Sequence, residues 1–200
     1  MTEKKLYVAA LFAAFMTTVH HSQGGCNGGR PTANLYINDF LKTGKTIWTY
    51  NSTAHMSPTC KVDVIQYVNG RNVAFARIYI QNNFTVRQNL TANIPSGQMD
   101  SIYFTAQGNH CYQEQIIYLG EIGDCALIRV TQHTSCGQSR TSGLSDYVEL
   151  RVYNSSIAAG PDCGCRSKFA TYSSRGHRVY NADCQKILEP GCRQQTCYSG

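Results

Sequence analysis

From Lys45 to Asn154 apolar and polar residues alternate in short runs, each bounded by turn-forming residues. The runs are rich in Val, Ile, Tyr, Phe and Thr, and Asn-Gly, Pro-Ser-Gly and Gly-Asp break them, which is the period and punctuation of half-buried strands. The pattern predicts strands over 45–53, 60–68, 71–81, 84–94, 99–107, 111–119, 125–133 and 147–154. Val68-Asn69-Gly70-Arg71 predicts a tight hairpin, because Asn-Gly takes positive φ at both central positions of the favoured turn. Eight consecutive up-and-down strands close naturally into a barrel, which removes exposed edges; a sandwich of the same strands is the alternative, and the short turns favour the barrel. The fold class expected is therefore all-β, an eight-stranded antiparallel barrel. Short helices flank it. Thr32 is placed to cap a segment through Leu41, with Leu35, Tyr36 and Phe40 at helical spacing. A second helix is expected over 165–174, where Phe169 and Tyr172 lie three apart, and another turn or two over 180–188.

The pattern changes character at the N-terminus. Lys4 and Lys5 precede an apolar run from Leu6 to Val19, and small residues follow at Ser22, Gly24 and Gly25. This order reads as an export signal over residues 1–24, cleaved near Gly24 or Gly25 and too short for a membrane span of about 20 residues. The rest, 25–200, is one domain of about 175 residues with enough chain for a real core, ending in a tail over 188–200. All ten cysteines (Cys26, Cys60, Cys111, Cys125, Cys136, Cys163, Cys165, Cys184, Cys192 and Cys197) lie outside the apolar run. An even count in an exported chain points to disulfides. Four glycosylation sequons, at Asn51, Asn83, Asn89 and Asn154, suit the same compartment and mark surface positions.

Charge and chemistry narrow the function. The formal net charge of +6 is scattered without a basic run, so no nucleic-acid stripe is expected, and no later segment is apolar enough to enter a membrane. His55, His110, His133 and His177 lack metal-ligand spacing, and Cys163-Gly164-Cys165 has no second knuckle to complete a zinc site. Neither a nucleophile elbow nor a phosphate-binding loop is present. These observations predict a secreted monomer with neither metal nor cofactor that binds rather than catalyses.

Several motifs carry a resemblance: Ile47-Trp48-Thr49-Tyr50 in the first strand, Cys60 opening the second and Cys125 following a hairpin. Tyr147-Val148-Glu149-Leu150-Arg151-Val152 in the last strand comes next, then Cys163, Cys165, Phe169 and Val179-Tyr180 before Cys184. On these residues the chain resembles the tick salivary lipocalins of the histamine-binding type. The resemblance implies a barrel with a C-terminal helix laid against it and capture of a host inflammatory mediator, with a histamine- or serotonin-type amine favoured. An anionic lipid mediator is the alternative. Blockade of a host protein such as a complement component, through loops over 134–146 and the tail 188–200, is a further one. Amine-binding members carry an acid after the cysteine of Cys125 and Glu-Leu-Trp in the last strand; this chain has Ala126 and Glu149-Leu150-Arg151. The resemblance also implies bridges Cys60–Cys184, Cys125–Cys165 and Cys26–Cys163.

The candidate ligand residues are Trp48, Tyr112, Glu114, Tyr147, Glu149 and Arg151. A buried amine needs a carboxylate and gains from aromatic faces. Alternation puts Tyr147, Glu149, Arg151 and Tyr153 on one face of the last strand and Val148, Leu150 and Val152 on the other. Spacing leaves open which face is inside; the resemblance turns Glu149 inward. There Arg151 either neutralises Glu149 or offers its guanidinium to an anion. For Glu114, a two-residue turn at Gly123-Asp124 predicts pairing with His133 on the face of Arg129, while Ile117, Leu119, Ile128 and Val130 read as the core face. The same turn makes opposed positions sum to 247, which places Cys111 opposite Cys136 and predicts that bridge; Cys192–Cys197 follows by elimination. Asp63, alone on its strand, reads as solvated.

Overall fold

The computed structural model describes residues 35–106, 108, 110–133, 145–172 and 176–190. Eight antiparallel strands follow one another: β1 (Thr46–Ser52), β2 (Thr59–Asn69), β3 (Asn72–Gln81), β4 (Phe84–Asn93), β5 (Ser101–Ala106), β6 (His110–Leu119), β7 (Cys125–His133) and β8 (Ser145–Tyr153). Each pairs with the next, and β1 pairs with both β2 and β8, so the sheet closes into a barrel. A two-residue strand β9 (His177–Arg178) pairs with Asn51 and Ser52 of β1, on the edge opposite β8. The apolar run read as an export signal, Cys26, Thr32 and the sequence 191–200 lie outside the described residues, as does 134–144 between β7 and β8.

The eight strands match the alternation within about two residues at each end, the usual scatter of element boundaries. The helices are shorter or displaced. α1 is one turn, Ile37–Phe40, with no side-chain cap. α2 spans Cys163–Ala170 rather than 165–174, because the Asp162 carboxylate accepts the Cys165 N–H at 2.6 Å and starts the helix two residues early. Ala182–Leu188 is a 3-10 helix.

Two hairpins depart from their expected register. At β2–β3 the central turn residues are Gly70 and Arg71, not Asn69 and Gly70; Asn69 faces Asn72, and only Gly70, at φ +57°, needs the left-handed region. A bulge between Ile65 and Tyr67 then shifts the ladder by one and sets Asp63 opposite Arg77. At β6–β7 the connection is longer than two residues. Leu119 faces Ala126, and a bulge between Ile116 and Tyr118 sets Glu114 opposite Val130 and Cys111 opposite His133. The expected sum of 247 is therefore wrong, and Glu114 shares a face with Ile128 and Val130, not with Arg129.

Both faces of β8 and β1 are buried. Inside the barrel, toward one end, Ile47, Ile65, Phe75, Ile102, Ile116, Ile128 and Tyr153 fill the interior. The N-terminal segment closes this end: Phe40 stacks on Tyr153 at 5.1 Å and its carbonyl accepts the Tyr153 hydroxyl. Outside, Trp48, Val62, Leu127, Val148, Leu150 and Val152 pack against Phe169, Tyr180 and Ile187 of the C-terminal segment. Two disulfides hold that segment in place, Cys60–Cys184 and Cys125–Cys165. Cys111 and Cys163 are also disulfide-bonded; the partners expected for them, Cys136 and Cys26, lie outside the described residues, as do Cys192 and Cys197.

Candidate functional site

Above the apolar plug the interior changes to charge. Alternation on β2 turns Lys61 and Asp63 inward, β3 contributes Arg77, β6 Glu114, and β8 Glu149 and Arg151. All six are buried. Arg77 forks onto Asp63, with Nε donating to Oδ1 at 2.7 Å and Nη2 to Oδ2 at 2.8 Å, and reaches Glu114 Oε1 at 2.8 Å. Arg151 donates to both oxygens of Glu114 at 2.7 and 2.8 Å and from Nε to Glu149 Oε2 at 2.8 Å. Lys61 Nζ donates to Glu149 Oε1 at 2.6 Å, and Thr49 Oγ1 to Glu149 Oε2 at 3.3 Å. Three cations thus meet three carboxylates in one layer across the barrel. Ions removed from water persist only when paired and hydrogen-bonded this fully.

The layer sets its own protonation. Burial alone would raise the Glu114 pKa, but Arg151 and Arg77 overcome it and hold the carboxyl well below its usual range. Burial likewise opposes ionisation of Glu149, and Lys61 and Arg151 bring it down to about 2. Lys61 is pushed the other way: burial and the Arg77 charge lower its pKa, and Glu149 only partly restores it. Burial, with Glu149 beside it, pushes the Tyr147 hydroxyl far up, so Tyr147 stays neutral.

A cavity of about 880 Å³ lies over this layer. Lys61, Arg77 and Glu149 form its polar floor; Tyr79, Phe104, Tyr112 and Tyr147 line its walls; and the β1–β2 loop, Thr53–Pro58, lines its open end. Phe104 stacks on Tyr112 at 5.5 Å, and the Arg77 guanidinium lies 5.3 Å from the Phe104 ring centroid. The volume falls in the range of small-molecule pockets.

Five of the six candidate ligand residues come together here. Glu149, Tyr147 and Tyr112 line the cavity, and Glu114 and Arg151 lie beneath it in the ionic layer. Trp48 does not join them. It is fully buried on the outer face of β1, 5.0 Å from the Tyr180 ring, with its indole N–H donated to Asn154 Oδ1 at 2.8 Å. Asp63, expected in solvent, is instead buried between two arginines. Lys61 and Arg77 escaped the sequence reading, although Arg77 interrupts an apolar strand face after Val73 and Phe75 and Lys61 lies two residues before Asp63 on the face that ends in Ile65. Among the sequons, Asn83, Asn89 and Asn154 are exposed and Asn51 is half-buried. Among the described residues one trio of potential metal ligands lies together, Cys125, Asp162 and Cys165, but its two sulfurs are bonded to each other.

No family model matches the chain, and no curated protein matches it in sequence. Solved structures do. AM182 in its serotonin complex aligns over 78% of this chain and 97% of its own, with a TM-score of 0.57 at 17% identity. The fold is a lipocalin barrel. Two further structures align more loosely. Lipocalin 12 from rat epididymis covers 73% of this chain and 81% of its own at 11% identity, with a TM-score of 0.47. Japanin from Rhipicephalus appendiculatus, bound to cholesterol, covers 70% and 94% at 11% identity, again with a TM-score of 0.47. In this lipocalin barrel the apolar plug closes one end, and the ionic layer is the floor of the cavity on its other side.

Proposed function

We propose that this protein is an exported carrier that draws a small amphiphile into its barrel, anionic head first, and holds it without turnover. The supporting observation is where hydrogen-bonding capacity is left over. No oxygen of Asp63, Glu114 or Glu149 is without a cationic donor. Among the described residues, by contrast, Lys61 Nζ makes one of its three possible hydrogen bonds and Arg77 Nη1 makes none. Both side chains line the cavity. An incoming carboxylate finds donors there without displacing anything. An incoming ammonium would have to share Glu149, whose oxygens already accept from Lys61, Arg151 and Thr49. Export is supported by the apolar run at Leu6–Val19 and by two disulfides.

A second reading keeps the amine. Lys61 is the loosest cation of the layer, held by one contact to Glu149, and an amine that displaced it would lie beside Tyr147 and Tyr112. Serotonin, which AM182 holds in its own complex, is then the natural probe. Titration calorimetry of the refolded protein separates the two. Undecanoate is expected to bind with a stoichiometry of one, and its methyl ester and serotonin are expected to bind weakly or not at all. Tight serotonin binding with no undecanoate binding would reverse the assignment.

A further inference from the structure

The barrel wall is not uniform in height. β3 and β4 pair continuously from Asn72↔Asn93 to Gln81↔Phe84, and β5–β6, β6–β7 and β7–β8 each share six or more positions, while β1 and β2 share three. β4 and β5 share only two positions, Ala92↔Phe104 and Asn93↔Tyr103, both beside the apolar plug. Carrying that register upward would set Ala106, the last residue of β5, opposite Leu90. Above Leu90, Phe84–Asn89 of β4 pairs with β3 on one side and has no strand on its β5 side among the described residues, an opening about 20 Å long at the usual rise per residue. The short β5 makes a notch, and the cavity reaches it. Gln81 and Gln88 line the cavity from one bank of the notch, and Phe104, Ala106, Gly108 and His110 from the other.

The notch is built for passage rather than for strand addition. β4 carries Arg87 and Asn89 outward and Asn83 at its turn, a polar, charged edge of the kind that resists pairing with another chain. The inner surface leading to it is softer: Tyr79, Phe104, Ala106 and Tyr112. Below the ionic layer the barrel is packed solid with Ile65, Phe75, Ile102 and Ile116, so a ligand whose head rests on Lys61 and Arg77 has no room to extend downward. Its far end must point up and out.

We infer that the notch between β4 and β5 is the exit through which the distal end of a head-inward amphiphile leaves the barrel, so that the protein accepts carboxylates longer and bulkier at the far end than its cavity can enclose. This rests on the head-first reading above. The test uses two probes, undecanoate and dansylaminoundecanoate, whose fluorophore sits on the end remote from the carboxylate. The unmodified protein is expected to bind both, with undecanoate displacing the fluorescent acid. Ala106→Trp narrows the notch from the β5 bank and Gln88→Trp, independently, from the β4 bank. Each should weaken the fluorescent acid by about tenfold or more while leaving undecanoate within a few-fold. Full binding of the fluorescent acid by both folded variants would mean that the ligand leaves elsewhere, and would overturn the inference. So would an unmodified protein that binds undecanoate but rejects the fluorescent acid, with the head-first reading left standing. Failure to bind undecanoate at all would remove that reading and the inference with it.

Discussion

Glu114 is the residue on which the ionic layer turns, since it accepts from Arg77 once and from Arg151 twice. Glu114→Gln leaves two buried guanidinium groups short of a counter-charge and should cost about 3–5 kcal/mol of stability, measured by urea unfolding. A loss below about 1 kcal/mol would mean that the layer is hydrated rather than buried. The same charges set the acid limit. Glu149 falls to about 2 in the folded state and Glu114 is also held below its usual range. In that window the unfolded chain binds more protons, so stability rises with pH. The contribution is complete above the unfolded carboxyl range and is lost as pH falls from about 4.5 toward 2, where thermal midpoints should drop steeply. Lys61 tests the binding reading at the same scale. Lys61→Met should weaken undecanoate by about tenfold or more, while Lys61→Arg, which keeps the charge, should retain most of the affinity. Equal affinity in all three proteins would place the headgroup elsewhere.

At the scale of elements, local chemistry explains the strands better than it explains their registers. The period of two and the turn residues placed all eight strands, because both act within a few residues. The bulges near Gln66 and Ile117 leave no comparable mark in the sequence, yet they decide that Asp63 meets Arg77 and that Glu114 points inward. Shifting a ladder by one residue exchanges its faces, so an error at a turn propagates to every side chain beyond it. The C-terminal helix shows the opposite case, a local feature with a remote effect. Asp162 caps α2, and α2 carries Cys165 and Phe169 onto β7 and β8. Asp162→Ala should destabilise the protein by about 1 kcal/mol, as N-cap losses usually do. Gly120→Ala should cost more, because its methyl group would lie 2.6 Å from the Cys125 sulfur and 2.5 Å from the Asp162 carboxylate. Differential scanning calorimetry of both variants checks the order; a smaller effect for Gly120→Ala would contradict this packing.

For the whole molecule the prediction is capture. A saturating ligand that binds only the folded barrel should raise its stability by about 2.7 kcal/mol at a hundred times Kd, and should be recovered chemically intact after denaturation. An altered compound would turn the reading toward catalysis. The sequence by itself determined the number, order and spans of the strands and the all-β class, since these follow from periodicity and turn chemistry; the bridges that tie the C-terminal segment down, Cys60–Cys184 and Cys125–Cys165, came from the family resemblance. It also singled out Glu149, Arg151, Glu114, Tyr112 and Tyr147, which the fold gathers at or under one cavity. Spacing left open which face of β8 is the inside; the resemblance turned Glu149 inward, and the tertiary structure shows it there. Alternation distinguishes faces when one meets water, but here both are buried: the charged face by the barrel, the apolar face by Phe169, Tyr180 and Ile187. That second covering is why Trp48 is packing rather than lining. Only the tertiary structure brought Lys61, Asp63 and Arg77 to Glu114, Glu149 and Arg151, because the contacts depend on a barrel closed between β1 and β8 and on two bulges. A charge on an isolated strand reads as solvated, and it becomes an interior group only when partners from distant strands cancel it.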